Sequence, residues 1–244
     1  MKIEVDTHTH CIASIHAYST INELALGAKA AKLKGFVLTD HGPALQNGQP
    51  HPHYFSNLRV LPPKINGVHV FHGVELNILD TNGCVDLSPK CLKSLDFVMA
   101  GLHIGCFDPG TPEVNTKALI AAIENPLVDA ISHPGNGSFP VNLEQIVDAA
   151  KKRGKILEIN NSSFKVRRGS NENCRELARL CKENGNLISV ASDAHYFTYV
   201  GVLETALSVV NEAMIDPNHV INHKLAGFIE YITRRKADRG NVII

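Results

Sequence analysis

The sequence predicts an α/β protein, a (β/α)7 barrel related to the eight-stranded kind, with a metal site at the C-terminal mouth of its strands. Three observations lead there. Seven apolar, β-branched runs are spaced along the 244 residues, helix-like segments separate them, and nearly every run ends in a histidine or a carboxylate. Strands alternating with helices build parallel sheets. In such barrels the C-terminal strand ends converge on one mouth, where catalysis sits.

The first run, KIEVDTH (2–8), leads into a stretch that places His8, His10 and His16 within nine residues. STINELALGAKAAKLKG comes next as a helix, capped by Ser19 or Thr20 and stopping at Gly35. The next run, GFVLTDH (35–41), precedes residues 42–66, which are rich in Pro, Gly and Asn and read as an active-site loop with a short helix. HVFHGVE (69–75) and LDFVMAGLH (95–103) supply two more strands, and NTKALIAAIENP a helix. VDAISH (128–133), KILEINN (155–161) and NLISVASD (186–193) alternate with the helices VNLEQIVDAAKKRG and NENCRELARLCKENG; VLETALSVVNEAM and LAGFIEYITRRK close the chain as helices. Most of the runs are too continuous in their hydrophobicity to be half-exposed, which is the signature of strands buried on both faces. Without a Gly/Ser linker, a composition break or a fixed-period repeat, residues 1–244 are expected to form one domain.

Composition excludes several functions. Lys plus Arg equals Asp plus Glu at 24 each, so bulk charge favours neither nucleic acid nor a membrane surface as partner. The clusters KVRRGS and TRRKADR are short and read as solvated loop or helix ends. No window reaches the roughly 18 consecutive apolar residues of a membrane span. The six cysteines form no CxxC pair and read as reduced thiols; with no signal-peptide pattern, a cytoplasmic protein is expected. Cys11 and Cys106 lie beside candidate metal histidines, yet a structural role is favoured for both.

The strand ends supply the chemistry. They carry His8 with His10, His41, Glu75, His103, His133 and finally Asp193 with His195. His8 and His10, at i and i+2, share one face if the strand persists, and Asp193 and His195 have the same offset. With His16 these residues make nine candidate ligands, too many for one tetrahedral ion and enough for two or three ions of Zn, Mn or Fe with positions left open. Three divalent ions bring about +6, and two carboxylates remove only about two charges. A site that lacks negative charge suits a phosphate dianion better than a neutral amide, which favours phosphoester hydrolysis.

The other histidines read differently. His51 and His53 sit in a proline-flanked loop as lid or surface groups, while His219 and His223 belong to a late surface loop. His69 and His72 lie in the third strand, where His72 faces away from Glu75. Asp6 and Asp40 flank ligands, either orienting a histidine or simply ending a strand.

The ordered set DTHTH, TDHG, a strand-end Glu75, GLH, SHPG and SDAH resembles the PHP (polymerase and histidinol phosphatase) family over nearly the whole chain. ISHPGN, LEINNSSF and GSNENCRELA look especially like its YcdX-type phosphatase branch. The resemblance implies a distorted (β/α)7 barrel holding a trinuclear centre, usually zinc, at its C-terminal mouth. His8, His10, Glu75 and Asp193 would hold one ion; Glu75 would bridge to a second, bound by His103 and His133; and His16, His41 and His195 would hold the third. It also implies a homo-oligomer, plausibly a trimer. The loops GQPHPHYF and DAHYFTYVG depart from the pattern and put substrate preference in question.

On this reading the reaction is hydrolysis of a small phosphomonoester by a metal-bridging hydroxide held by Glu75, Asp193 and His10. Asn160, Asn161, Arg167 and Arg168 are candidate phosphate contacts, although the RRG turn reads equally well as exposed structure. Histidinol phosphate is one candidate substrate among many. The rival readings are phosphodiester cleavage, amidohydrolase-type C–N hydrolysis and a non-catalytic metal-stabilised scaffold. The missing strand-end lysine weighs against C–N hydrolysis, and the missing basic track against long nucleic acids.

Overall fold

The seven apolar runs form seven parallel strands in a computed structural model that describes residues 1–46 and 48–242. In chain order the elements are β1 (Val5–Thr9), α1 (Ile21–Ala30), β2 (Gly35–Leu38), α2 (Pro52–Asn57), β3 (Lys64–Ile65), β4 (Val68–Asn77), α3 (Pro89–Ser94), β5 (Phe97–Gly101) and α4 (Pro112–Glu124). They continue as β6 (Ala130–Ile131), α5 (Leu143–Arg153), β7 (Ile156–Asn160), α6 (Ser163–Val166), α7 (Ser170–Asn184), β8 (Ile188–Ala191), α8 (Glu204–Glu212) and α9 (Leu225–Gly240). Strand order is β1-β2-β4-β5-β6-β7-β8, with every neighbouring pair parallel. This is the expected distorted (β/α)7 barrel. Inside the loop expected at 42–66, β3 forms a two-residue antiparallel pairing with β4 that sequence reading missed.

The ring closes irregularly. β1 meets β8 through a bridge between Thr9 and Ala194, and lower down the side chain of Asn222 takes the place of a strand residue. Its Nδ2 donates to Val5 O (2.8 Å) and Val190 O (2.7 Å), while its Oδ1 accepts from Val190 N (3.1 Å). Backbone groups at the seam therefore stay satisfied without a full ladder.

Helix boundaries obey local chemistry. α1 carries a complete capping box between Thr20 and Glu23. It ends at Ala30, short of the expected Gly35, because Lys32 turns left-handed (φ 58°) and Leu33 N bonds back to Ala28 O (2.9 Å). Gly154 and Gly185, both left-handed, terminate α5 and α7.

Two apolar layers set the site's position. Leu24, Phe36, Val74, Val98, Leu157 and Leu177 pack strands against helices. A second cluster, with Val5, Phe71, Phe97 and Ile156, fills the N-terminal half of the barrel interior, where Phe228, Tyr231 and Ile232 of α9 plug it. α9 is fixed by buried Arg239, which pairs with Asp129 and donates to Leu95 O (2.6 Å). The candidate ligands gather beyond this apolar plug, at the C-terminal strand ends. Among the described residues, no helix is long and apolar enough to cross a membrane.

Candidate metal centre

Glu75, fully buried near the end of β4, stands at the middle of the polar half. Its Oε2 lies 3.1 Å from His8 Nε2, 3.6 Å from His10 Nε2 and 2.9 Å from His41 Nδ1. Its Oε1 lies 3.1 Å from His103 Nε2 and 2.8 Å from His133 Nε2. Asp193, just beyond β8, brings Oδ1 to 3.5 Å from His8 Nε2, 3.3 Å from His10 Nε2 and 3.5 Å from His195 Nδ1. Eight of the nine expected ligands thus form one cluster, six imidazoles around two carboxylates. The ninth, His16, sits on an exposed loop with its ring 4.7 Å from that of His195 and 5.0 Å from that of His41.

His8 and His10 converge although β1 does not run on regularly. Its pairing with β2 slips between Asp6 and Thr9, an irregularity of a kind common beside active sites. His133 (φ 34°) and Asp193 (φ 57°) hold left-handed backbone that non-glycine residues rarely adopt, a strain that clusters at functional sites. Gly101 leaves the room that His133 needs: a Cβ there would meet Ser132 Oγ at 2.2 Å and His133 Cε1 at 2.9 Å.

Several buried donor atoms have no hydrogen-bond partner: His8 Nε2, His10 Nε2, His41 Nδ1, His103 Nδ1 and Glu75 Oε2. Buried polar atoms are normally satisfied, so such a concentration calls for a ligand. Three triads have donor atoms within 4.8 Å of one another: His10/His41/His195, His8/His10/Glu75 and His41/Glu75/His103. This imidazole and carboxylate donor set fits divalent cations.

Electrostatics favour positive charge at the centre. Burial opposes ionisation of Glu75, but His8, His103 and His41 hold its carboxyl well below the usual range. Burial is likewise outweighed at Asp193 by His8 and Arg167. At His8, burial is overcome by Glu158, Glu75 and Asp193, which raise its pKa well above the ordinary value. Burial, then His195 and His41, depress His10 strongly; burial, then His41 and His195, bring His16 down to about 4. Burial and Arg167 bring His133 to about 4. Neutral imidazoles of this kind keep the lone pair a metal needs.

The cluster is supported from behind by Glu158 and Ser14, which sequence reading passed over, and by Asp40, which it singled out. Glu158 on β7 is fully buried; its Oε1 lies 2.7 Å from His8 Nδ1, and its Oε2 accepts from His133 N (2.7 Å) and Asn160 Nδ2 (3.1 Å). The available signal was a lone charge in the apolar run ILEIN. Ser14 Oγ is 3.3 Å from His10 Nδ1 and donates to Asp40 Oδ1 (2.8 Å). Asp40 also accepts from Cys11 N (2.8 Å), the Cys11 thiol (3.0 Å) and the Tyr54 hydroxyl (2.5 Å). Asp40 therefore acts on His10 through Ser14. Asp6 instead ties backbone, accepting from Ser192 N (3.0 Å) and Gly201 N (2.8 Å).

The four expected phosphate contacts separate. Asn160 is enclosed, with Nδ2 on Glu158 and Asp193 (3.2 Å) and Oδ1 accepting from Ser163 N (2.9 Å), so its amide braces the site. Asn161 Oδ1 accepts from Ala206 N at the start of α8 (3.0 Å). Arg167 is half-buried, with Nη2 3.0 Å from Asp193 Oδ2 and Nη1 bonded to Asn160 Oδ1 (3.3 Å) and Ser163 Oγ (3.2 Å). Arg168 is exposed. Asn161 and Arg167, with Asp193, His195 and His16, line a cleft of about 500 Å³ opening from the cluster. Of the unassigned histidines, His51 caps α2, His69 stacks on Phe71, His72 Nδ1 lies 3.8 Å from Asp96, and His223 meets Lys2 O (2.9 Å). Cys11 and Cys106 are free thiols, pushed up by burial to about 12 and about 11.

No protein-family model matches the chain. It is 47% identical over 236 residues to a probable phosphatase of Acetivibrio thermocellus, covering 97% of this chain and 98% of that one. It is 49% identical over 242 residues to a probable phosphatase of Thermoanaerobacter sp. X514, covering 98% of each. Among solved structures it is similar to histidinol phosphate phosphatase from Lactococcus lactis, determined with zinc, L-histidinol and phosphate. That match has a TM-score of 0.69 at 17% identity and covers 88% of this chain and 95% of the other, a likeness of fold.

Proposed function

Since the chain belongs to the family of these bacterial probable phosphatases, a PHP-like group, we propose that it is a metal-dependent hydrolase of small phosphomonoesters of the YcdX-type branch. It acts as one domain over residues 1–244, in the cytoplasm and as a homo-oligomer, a trimer on the family pattern. The observation that carries the reading is the set of unpartnered buried donor atoms of His8, His10, His41 and Glu75 facing one another at the strand ends. In this proposal His8, His10, Glu75 and Asp193 hold one ion, Glu75, His103 and His133 a second, and His16, His41 and His195 a third, zinc being favoured over manganese or iron. When bound, such ions supply Lewis acidity and bring the pKa of water toward neutrality.

The chain's own residues do the positioning. Glu158 holds His8 by Nδ1, so Nε2 is presented to the centre. Asp40 and Ser14 do the same for His10. Arg167 is held by Asp193, Asn160 and Ser163 at the cleft wall, where a guanidinium with five N–H donors can also take phosphate oxygens. With no basic track in a chain of zero net charge, the substrate is a small ester rather than a nucleic acid. Exhaustive chelation should abolish hydrolysis of a generic phosphomonoester, and zinc or manganese should restore it. Two or three ions per chain with turnover would support the enzyme, and three the full assignment; undiminished turnover after metal removal would overturn the proposal.

A further inference from the structure

Several exposed apolar side chains stand next in the chain to residues of the candidate site. Ile12 comes two residues after His10, Ile104 directly after His103, Val166 directly before Arg167, and Tyr196 directly after His195. Val166 is 70% exposed and Tyr199 56% exposed. Single exposed apolar residues are ordinary, but an apolar surface beside convergent polar groups marks a ligand site. Val166 and Tyr199, together with Val202, line the same cleft of about 500 Å³ as Asp193, His195 and Arg167. That volume falls within the range of small-molecule sites. The lining therefore joins charged and polar groups, Lys165 among them, to aliphatic and aromatic ones.

From this arrangement we infer that the cleft takes the alcohol part of the phosphomonoester, and that this part is an apolar, ring-bearing group seated against Tyr199, Val166 and Val202. The inference rests on the phosphatase reading and names its substrate class. A small polyol would leave this wall in water, whereas a ring covers it. Aromatic pairs gain further from stacked or edge-on contact. The reaction balances simply: water adds to phosphorus, the P–O bond to the alcohol breaks, and the alcohol leaves with a proton.

The test compares two esters whose alkoxide leaving groups are of similar reactivity, 2-phenylethyl phosphate and ethyl phosphate, on the metal-replete full chain. Their non-hydrolysable phosphonates are measured in parallel by calorimetry, so binding is read apart from turnover. Half-burying one phenyl ring predicts kcat/KM about 10-fold higher for the phenylethyl ester, and a similarly tighter phosphonate Kd. Paired Val166→Ser and Tyr199→Ala should bring both ratios to within about two-fold of unity. Tyr199→Phe should preserve them, as should Met214→Ala, which removes an exposed apolar side chain elsewhere. If both esters are hydrolysed at equal kcat/KM and both phosphonates bind equally, the ring-bearing class is overturned while the phosphatase reading stands. If neither ester is hydrolysed, the phosphatase reading falls and the substrate class with it.

Discussion

Replacing Glu158 by glutamine exchanges one oxygen for an amide nitrogen in a fully buried place, where the atoms around it dictate which way the amide turns. Glu158 Oε1 faces His8 Nδ1 at 2.7 Å, and Oε2 accepts from His133 N and Asn160 Nδ2 at 2.7 and 3.1 Å. If the new NH2 took the place of Oε2, two buried donors would face a third, a loss of about 1–3 kcal/mol for each unsatisfied group. The NH2 therefore turns toward His8, whose Nδ1 must then accept. In the neutral form of His8 that binds a metal, that choice places the one ring proton on Nε2, the atom aimed at Glu75 and Asp193. The lone pair needed for a metal is lost from the site. Changes to groups that orient metal-ligating histidines weaken binding about 10- to 100-fold, or about 1.4–2.8 kcal/mol. Glu158→Gln should accordingly lower zinc affinity by that factor, measured by competition with a chelator of known affinity, and kcat/KM should fall at limiting metal. Metal-free Glu158→Gln should also lose about 3–5 kcal/mol of stability, because Glu158 and the protonated His8 form a buried ion pair, so zinc affinity is measured under conditions where the variant is folded. Unchanged zinc affinity in a variant that lacks the carboxylate would refute this account of His8.

Two further outcomes are expected. Gly101→Ala places a methyl 2.2 Å from Ser132 Oγ and 2.9 Å from His133 Cε1, and a displaced His133 ring should lower turnover about 10- to 100-fold at saturating substrate. Lys155 donates to Asn125 O (2.9 Å) and to Val128 O, and burial, then Arg235, lower its pKa to about 8. Between about pH 8 and 10.4 the unfolded chain therefore holds a proton that the folded one has released, and stability contributed by Lys155 rises with pH by about 3 kcal/mol. Buried thiols raised to about 12, such as Cys174 and Cys181, act in the opposite direction. Denaturant curves of Lys155→Met and the parent across this window isolate the effect: the variant should lack the rise.

Sequence reading reached the strand ends well because parity and position are local properties. A residue at the end of an apolar run in a parallel barrel points to the mouth wherever the run lies in the chain. His41, Glu75, His103 and His133 were legible for that reason. His8 and His10 were reached by the same logic, although the register slip in β1 means the convergence rests partly on the bond from His10 N to Ala194 O (2.9 Å). Asn160 was legible as a strand-end amide, but its enclosure between Glu158, Asp193 and Arg167 was not.

By itself, then, the sequence determined the alternation of strands and helices, the cap that begins α1, and the crowd of imidazoles and carboxylates along one rim. These depend on patterns within a few residues of one another. Only the folded chain decided that Glu158 stands behind a histidine 150 positions away, that Asp40 reaches His10 through Ser14, that Arg167 is paired to Asp193, and that Asn222 and α9 close the barrel. Contacts across such separations are chosen by packing and by satisfying buried polar atoms, and neither leaves a mark on the local pattern.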